Sequence, residues 1–324
     1  MKFKKIVSLS ASLVMCASMI TGCSTKSENK GASKTSDISV GIVLGEGSVN
    51  DQSFNQSAWE GALEAKEQYG VEINYIEAKQ ESDYATNIDM AIDQDADLVI
   101  GVGFKLTDTI EEAAKTYPES KFAIIDGTYE DIPENIMPIL FNEEQAGYCA
   151  GLVAANMTKT NVIGFVGGME IPSVTNFLIG FEKAIKEENK DIKVLSQYAN
   201  SFSDASKGRV IAEQMINEKA DIIFTAGGGV NSGVFEVTKE KGLYAIGVDM
   251  PSNYISPETI ITSALKNVGT GVELTVKDLV EGNFKGGEAK VFDLTNGGVG
   301  YEKTDLIPKD LVEYIDNKFS EIEK

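Results

Sequence analysis

The chain contains no histidine. Ser-His and Cys-His pairs need an imidazole base, and His-based zinc sites need an imidazole ligand, so that absence removes most familiar hydrolase designs. Arginine is nearly missing too, Arg209 being the only one. A planar guanidinium fork for phosphate or carboxylate is therefore hard to build. Positive charge is short overall, with 29 Lys and Arg against 50 Asp and Glu and a formal net charge of −21. Such a surface repels phosphate backbones unless it makes a local basic site, and no basic patch stands out. Nucleic acids and nucleotides are poor candidates, and a neutral or cationic solute is favoured.

Long hydrophobic runs are also scarce. The longest lies at the start, where Lys2, Lys4 and Lys5 precede an apolar stretch over residues 6–20 and then Thr21-Gly22-Cys23. The stretch is too short and too rich in Ser to span a bilayer, which takes about 20 apolar residues. A basic start, an apolar centre and small residues at the end make a secretory signal. A Cys directly after Thr-Gly, followed by a polar tail, is the bacterial lipobox pattern. We expect residues 1–22 to be removed and Cys23 to be acylated, anchoring the protein in a cell membrane on the side away from the cytoplasm. Loss of the three leader lysines would take the formal charge from −21 to −24. Residues 23–37 are polar and small, unable to bury enough surface to fold, and read as a flexible tether.

Three cysteines are present. Cys16 leaves with the leader and Cys23 carries the lipid, which leaves Cys149 and no disulfide within the mature chain. Cys149 shares a helical face with Ala146, Ala150 and Val153, the pattern of a buried structural thiol.

From Ile38 onward, short β-branched runs alternate with amphipathic stretches. The first series of strand candidates is 39–44, 72–77, 96–103, 121–126 and 136–141. The second is 161–168, 193–199, 220–228, 244–249 and 259–265. Helical patterns fall between them over 53–68, 83–94, 107–116, 142–157, 174–187, 204–218 and 231–241. The strands are nearly continuous runs of Val, Ile and Phe, as in parallel sheets covered on both faces. Two series of βα units imply an α/β protein with two doubly wound, Rossmann-like lobes. The expected limits are 38–143 plus about 264–284 for the first lobe, and 144–263 plus about 285–324 for the second. The tail has one more helix over 272–284, a strand-like KVFDL, a Gly-rich turn and a last helix.

In open α/β sheets a ligand sits beyond the carboxyl ends of the strands, so the residues there are the candidates. Strand one is followed by GEGSVNDQSFNQSAWEG, whose helix start holds Asp51, Ser53, Phe54 and Asn55. Free N–H groups at that start favour an acceptor, and Phe54 suits a flat or ring-shaped ligand unless it is a core residue of the helix. The third glycine of a dinucleotide fingerprint is Asn50 here and no Gly-Lys-Ser/Thr follows, so both phosphate motifs fail. Other strand ends supply Gly103-Phe104, Asp126, Gly228, Asp249 and Lys266, with Phe177 and Phe202 after strands six and seven. Singly, an Asp there can be a helix cap. Jointly, the rings and the Asp and Lys groups suit a polyhydroxylated ring compound held between two lobes. No nucleophile–base pair is visible, so neither an enzyme nor a cofactor is expected.

The motifs DQSFNQSAWEG (51–61), GFVGGMEIP (164–172), GFEKA (180–184), DIIFTAGGG (221–229) and IGVD (246–249) together resemble the basic membrane protein family of substrate-binding lipoproteins, the purine nucleoside receptor A-like family. The resemblance spans the chain after the tether. It implies the type I periplasmic-binding-protein fold, two lobes joined by three hinge crossings, and a nucleoside receptor serving an ABC transporter permease. It further implies that Phe54 stacks on the base, with Phe177 or Phe202 as its counterpart, that Asp249 and Lys266 hold the ribose, and that Gly228 offers a backbone contact. Many members carry an Asp nine residues before this Phe, where it reads the base edge. Gly45 stands there in this chain, with Glu46 beside it. Glu46 or Asp51 would then be the base-reading group, or recognition differs. A monomer that captures a nucleoside, purine above all, is the leading expectation. A receptor for a sugar or another small ring, or a surface sensor or adhesin on the same fold, are the alternatives.

Overall fold

The computed structural model describes residues 37–322, with side chains as far as residue 319. The leader, Cys23 and all of the tether but its last residue lie outside the described residues. The strands are β1 (Ser39–Leu44), β2 (Glu72–Glu77), β3 (Leu98–Val102), β4 (Lys121–Ile125), β5 (Ile136–Phe141), β6 (Val162–Gly167), β7 (Lys193–Tyr198), β8 (Ile222–Ala226), β9 (Tyr244–Asp249), β10 (Ile260–Lys266), β11 (Lys290–Phe292) and β12 (Val299–Tyr301). The helices are α1 (Phe54–Tyr69), α2 (Tyr84–Asp93), α3 (Thr107–Thr116), α4 (Glu143–Met157), α5 (Pro172–Glu188), α6 (Ala205–Asn217), α7 (Val230–Lys241), α8 (Val268–Val280) and α9 (Lys309–Ile322). Among the described residues, no helix is long and apolar enough to cross a membrane.

The strands form two sheets of the same design. One has the order β2-β1-β3-β4-β5-β11 and the other β7-β6-β8-β9-β10-β12. The pairs are parallel throughout, except that β12 runs antiparallel to β10. In each sheet the order reverses beside the first strand, which opens a crevice at the carboxyl ends of β1 and β3 in one lobe and of β6 and β8 in the other. The central strands β3 and β8 are buried along their whole length, as continuous apolar runs require. The edge strands β2 and β7 are not: half or more of each is exposed or partly exposed, and EINYIE and KVLSQY mix polar with apolar residues accordingly.

Three short links join the lobes: Asn142 between β5 and α4, Asn267 between β10 and α8, and residues 293–298 between β11 and β12. The architecture is the type I periplasmic-binding fold expected from the sequence. The links are laced together. Asn142 N donates to Phe292 O at 2.8 Å, Asn267 N to Gly298 O at 2.8 Å, and Leu294 N to the Gln145 side chain at 2.9 Å. The rings of Phe141 and Phe292 stack beside them at 5.3 Å.

Two expected limits move. The sequence places residues from about 285 in the second lobe, yet β11 pairs with β5 in the first sheet. The sequence places residues from about 264 in the first lobe, yet Ala264, Leu265 and Lys266 stay in the second sheet, paired with β12. That strand, Val299–Tyr301, lies at the end of the expected Gly-rich turn. Both late strands are three residues long, too short for a periodicity of their own, and only pairing defines them.

Helices α4 and α5 touch backbone to backbone. A Cβ on Gly147 would sit 2.1 Å from Phe177 O, and one on Gly180 would sit 1.9 Å from Glu144 O. No side chain fits there, so the absence of a Cβ sets the helix separation. Cys149 lies fully buried on α4, donating to Gln145 O at 2.9 Å, and burial pushes its thiol pKa well up. A protonated, enclosed thiol is unreactive.

Candidate functional site

The carboxyl ends of the two sheets face each other across a cleft with about 700 Å³ of empty space, part of it open to solvent. Glu46, Asp51, Phe54, Asn55, Gly103, Asp126, Phe177, Phe202, Gly228, Asp249 and Lys266, together with Phe104, all border this one space.

Asp126 and Asp249 occupy equivalent places, at the ends of β4 and β9. Both have left-handed backbones, with φ of 65° and 64°. Non-glycine residues seldom adopt that conformation, and where they do the strain gathers at functional sites. Neither residue caps a helix.

Between them lies Lys266, 1% exposed. Its Nζ donates to Asp126 Oδ2 at 2.6 Å and to Glu143 Oε1 at 2.8 Å. It also sits 5.3 Å from the ring centres of both Phe54 and Phe141. Burial works against the ammonium, but Asp126, Glu143 and Asp249 outweigh it and hold Lys266 above its usual pKa. Asp249 accepts a short hydrogen bond from Ser53 Oγ across the cleft, and Asn231 Nδ2 donates to the same Oγ at 3.4 Å. Burial pushes Asp249 up to about 7, with Lys266 and Ser53 opposing only in part. Burial likewise raises Glu143, against the pull of Lys266. The other carboxylate oxygen of Asp126, Oδ1, is the one buried side-chain N or O atom without a partner among the described residues. An orphaned acceptor of this kind calls for a donor.

The start of α1 departs from expectation. The N–H groups of Ser53, Asn55 and Gln56 are not free for a ligand. Asp51 Oδ1 accepts from Ser53 N at 2.9 Å and Gln56 N at 3.1 Å, while Oδ2 accepts from Asn55 N at 3.0 Å. A carboxylate at a helix start satisfies the orphan donors and complements the dipole, so Asp51 acts first as a cap. Asn55 Nδ2 turns back to Glu46 O at 3.3 Å and braces the loop.

Glu46 also has protein partners. Its Oε1 reaches across the cleft to Ser203 Oγ at 3.2 Å, Ser201 Oγ at 3.3 Å and Phe202 N at 3.4 Å. Its Oε2 pairs with Lys105 at 3.1 Å, and Lys105 pairs with Glu81 at 2.7 Å. Burial alone would raise Glu46, but Lys105 and the loop donors hold it below its usual pKa. Both oxygens that could read a base edge are engaged by the protein.

The four rings differ in freedom. Phe177 is 2% exposed and packs edge-on to Phe224 at 6.1 Å, so it belongs to the core as much as to the cleft. Phe54, Phe104 and Phe202 pair with no other ring among the described residues. Phe104 stands at the rim, 42% exposed. Phe202 lies against Gly168, where a Cβ would come within 2.5 Å of its ring, and its carbonyl accepts from Gly229 N at 2.8 Å. Gly228 has φ +58°, and a Cβ there would lie 3.0 Å from Phe202 O.

Sequence reasoning missed Glu143, Lys105 and Asn231. Glu143 could have been found, because it follows β5 as Asp126 follows β4, but it reads as an ordinary acid in a helix first turn. Among the described residues, no group of three or more His, Cys, Asp or Glu is placed to hold a metal ion.

Comparison with known proteins agrees with this arrangement. The family model of ABC transporter substrate-binding proteins, PnrA-like (Bmp), matches residues 38–323. The chain is 35% identical to an ABC transporter nucleoside-binding protein BmpA of Lactococcus lactis subsp. cremoris, over 98% of each chain. It is 36% identical to basic membrane protein A of Borreliella burgdorferi, over 87% of this chain and 85% of that one. A solved ABC transporter solute-binding protein from Aeropyrum pernix K1 superposes with a TM-score of 0.78 at 29% identity, covering 88% and 86% of the two chains. Two matched sheets, three laced links and one cleft lined from both sides thus accompany a family match over the whole folded region, and the chain belongs to the PnrA-like family of ABC transporter substrate-binding proteins.

Proposed function

We propose that this chain captures a nucleoside, purine in preference, between its lobes and delivers it to an ABC permease from the outer face of a membrane, where acyl groups on Cys23 hold it. The observation that carries the reading is the Phe54 ring backed by Lys266, beside a carboxylate whose Oδ1 has no donor. An aromatic face next to an unmet acceptor fits a ligand that is flat at one end and bears hydroxyls at the other. Phe54 and Phe202 take the base, because Phe177 is held in the core. Asp126, Asp249 and Lys266 take the ribose hydroxyls, and Gly228 lets backbone approach. Base–aromatic stacking is worth about 1–3 kcal/mol per base in single-strand binding proteins. Closure on the ligand is a hinge motion about the three links. The acidic cleft favours an uncharged ligand over a nucleotide. The name of the Lactococcus relative supports the nucleoside in particular.

Calorimetry of ligand-stripped protein with adenosine, guanosine, inosine, uridine and ribose is the test. Tight binding of a purine nucleoside and weak binding of ribose are expected. No heat with any nucleoside removes the reading, and ribose binding as tightly as a nucleoside makes this a sugar receptor.

A further inference from the structure

Glu143 is 3% exposed and is not among the residues that border the cleft. It is the first residue of α4, directly after the Asn142 link. One of its oxygens holds Lys266 Nζ at 2.8 Å and the other accepts from Asn176 Nδ2 at 3.3 Å. Asn176 lies on α5 next to Phe177, and α4 and α5 are locked by the Gly147 and Gly180 contacts. Glu143 is therefore fixed from behind, and the Lys266 ammonium is held between two carboxylates of different standing. Asp126 faces the cleft and Glu143 does not. An ammonium has three protons and a carboxylate two oxygens. Bound to Asp126 alone, the Lys266 ammonium would have protons to spare for both oxygens of that carboxylate. With Glu143 taking part of it, Asp126 gives up only Oδ2 and keeps Oδ1 unpartnered.

We propose that Glu143 is a positioning residue for ligand recognition: it draws the Lys266 ammonium back, and so reserves Asp126 Oδ1 for a hydroxyl donor of the ligand. The part played by the ligand rests on the nucleoside reading above, while the position of Lys266 does not. Positive charge stays in the cleft floor, and the acceptor that the ligand needs stays open. Burial is the main cause of the raised pKa values of Asp249 and Glu143, and the negative charge of neighbouring Asp126 adds to it.

The test is Glu143→Gln, which keeps shape and removes charge, measured in full-length protein against inosine and 2′,3′-dideoxyinosine. Inosine binding is expected to weaken about tenfold, the scale of one hydrogen bond to a charged group. Binding of the dideoxy compound, which has no ribose 2′- and 3′-hydroxyls to offer, is expected to hold within about twofold. Equal weakening of both ligands overturns the proposal, because a merely structural role would produce it. A second readout needs no ligand. The side-chain ammonium signal of Lys266 in ¹⁵N-lysine-labelled protein, assigned by its loss in Lys266→Met, is expected to shift in Glu143→Gln. An unchanged Lys266 signal overturns the proposal whether or not any nucleoside binds, whereas a wild-type protein that binds no nucleoside removes only the functional reading. Asn176→Ala frees the far oxygen of Glu143 without touching its charge. It should give the same pattern at about threefold, and it serves if Glu143→Gln does not fold.

Discussion

Replacing Asp249 by Asn should trade ligand binding for stability, and the gain should depend on pH in a defined direction. Asp249 is held at about 7 in the folded protein against an ordinary value of 3.8, with burial as the main cause. Between those values the native state keeps a proton that the unfolded chain has released. The free energy of unfolding therefore falls as pH rises from about 4 to about 7 and is flat above. A difference of about 3 pH units corresponds to about 4 kcal/mol, and by pH 8 the whole of that penalty is in force. Asn cannot ionise, so it carries none of it. Its carbonyl can still accept from Ser53, but its amide brings new donors into a buried place, at a cost of about 1–3 kcal/mol that does not vary with pH. The robust quantity is thus the mutant-minus-wild-type difference as a function of pH. It should rise by about 3 kcal/mol in favour of Asp249→Asn between pH 5 and pH 8. Urea denaturation of ligand-stripped protein at half-unit intervals reads this directly, provided the denaturant slope is shared. A difference that stays flat within about 1 kcal/mol across the range would refute the argument, because the proton would then reside elsewhere in the cluster.

Two further substitutions test the rest of the cleft. Phe54→Ala should weaken purine nucleoside binding by about 1–3 kcal/mol while leaving the thermal midpoint nearly unchanged; equal weakening for ribose would show that the ring is not a base-stacking face. Lys266→Met should destabilise the fold by about 3–5 kcal/mol at pH 7, because Asp126 and Glu143 are left buried without their counter-ion. A melting curve that shows less loss at pH 5 than at pH 7 would support that cause, since burial already raises the pKa of Glu143 and protonation relieves its unpaired carboxylate, and a pH-independent loss would point to packing instead.

Much of this was legible from the sequence because the parallel strands write themselves plainly. IVL, LVIGV and AIGV runs between Gly and Asp punctuation can be little else, and the rule that ligands meet strand ends then gathers Phe54, Gly103, Asp126, Gly228, Asp249 and Lys266 at once. What stayed hidden depends on partners remote in sequence. Asp51 looks like a ligand group until the N–H groups of Ser53, Asn55 and Gln56 close on it. Glu46 looks free until the 201–203 loop arrives from the other lobe, some 155 residues later in the chain. Strands β11 and β12 carry three residues each and exist only through their neighbours β5 and β10. Glu143 meets Lys266 across 123 residues, and no local pattern announces that meeting.

The lacing of the three links has a mechanical consequence. Two of them are single residues, Asn142 and Asn267; the N–H of Asn267 is bonded to the third strap at Gly298, and that of Asn142 to Phe292, the residue from which the strap leaves β11. A torsion applied at one strap is therefore transmitted to the others, and independent bending or shearing of the lobes would have to break backbone bonds that a common rotation leaves intact. Such lacing favours one common rotation of the lobes over several independent ones. Contacts across the cleft, Glu46 with the 201–203 loop and Ser53 with Asp249, would then be expected to part in the same movement. Release of a bound solute would be a concerted event, with no partly peeled state in which one lip lets go while the other still holds.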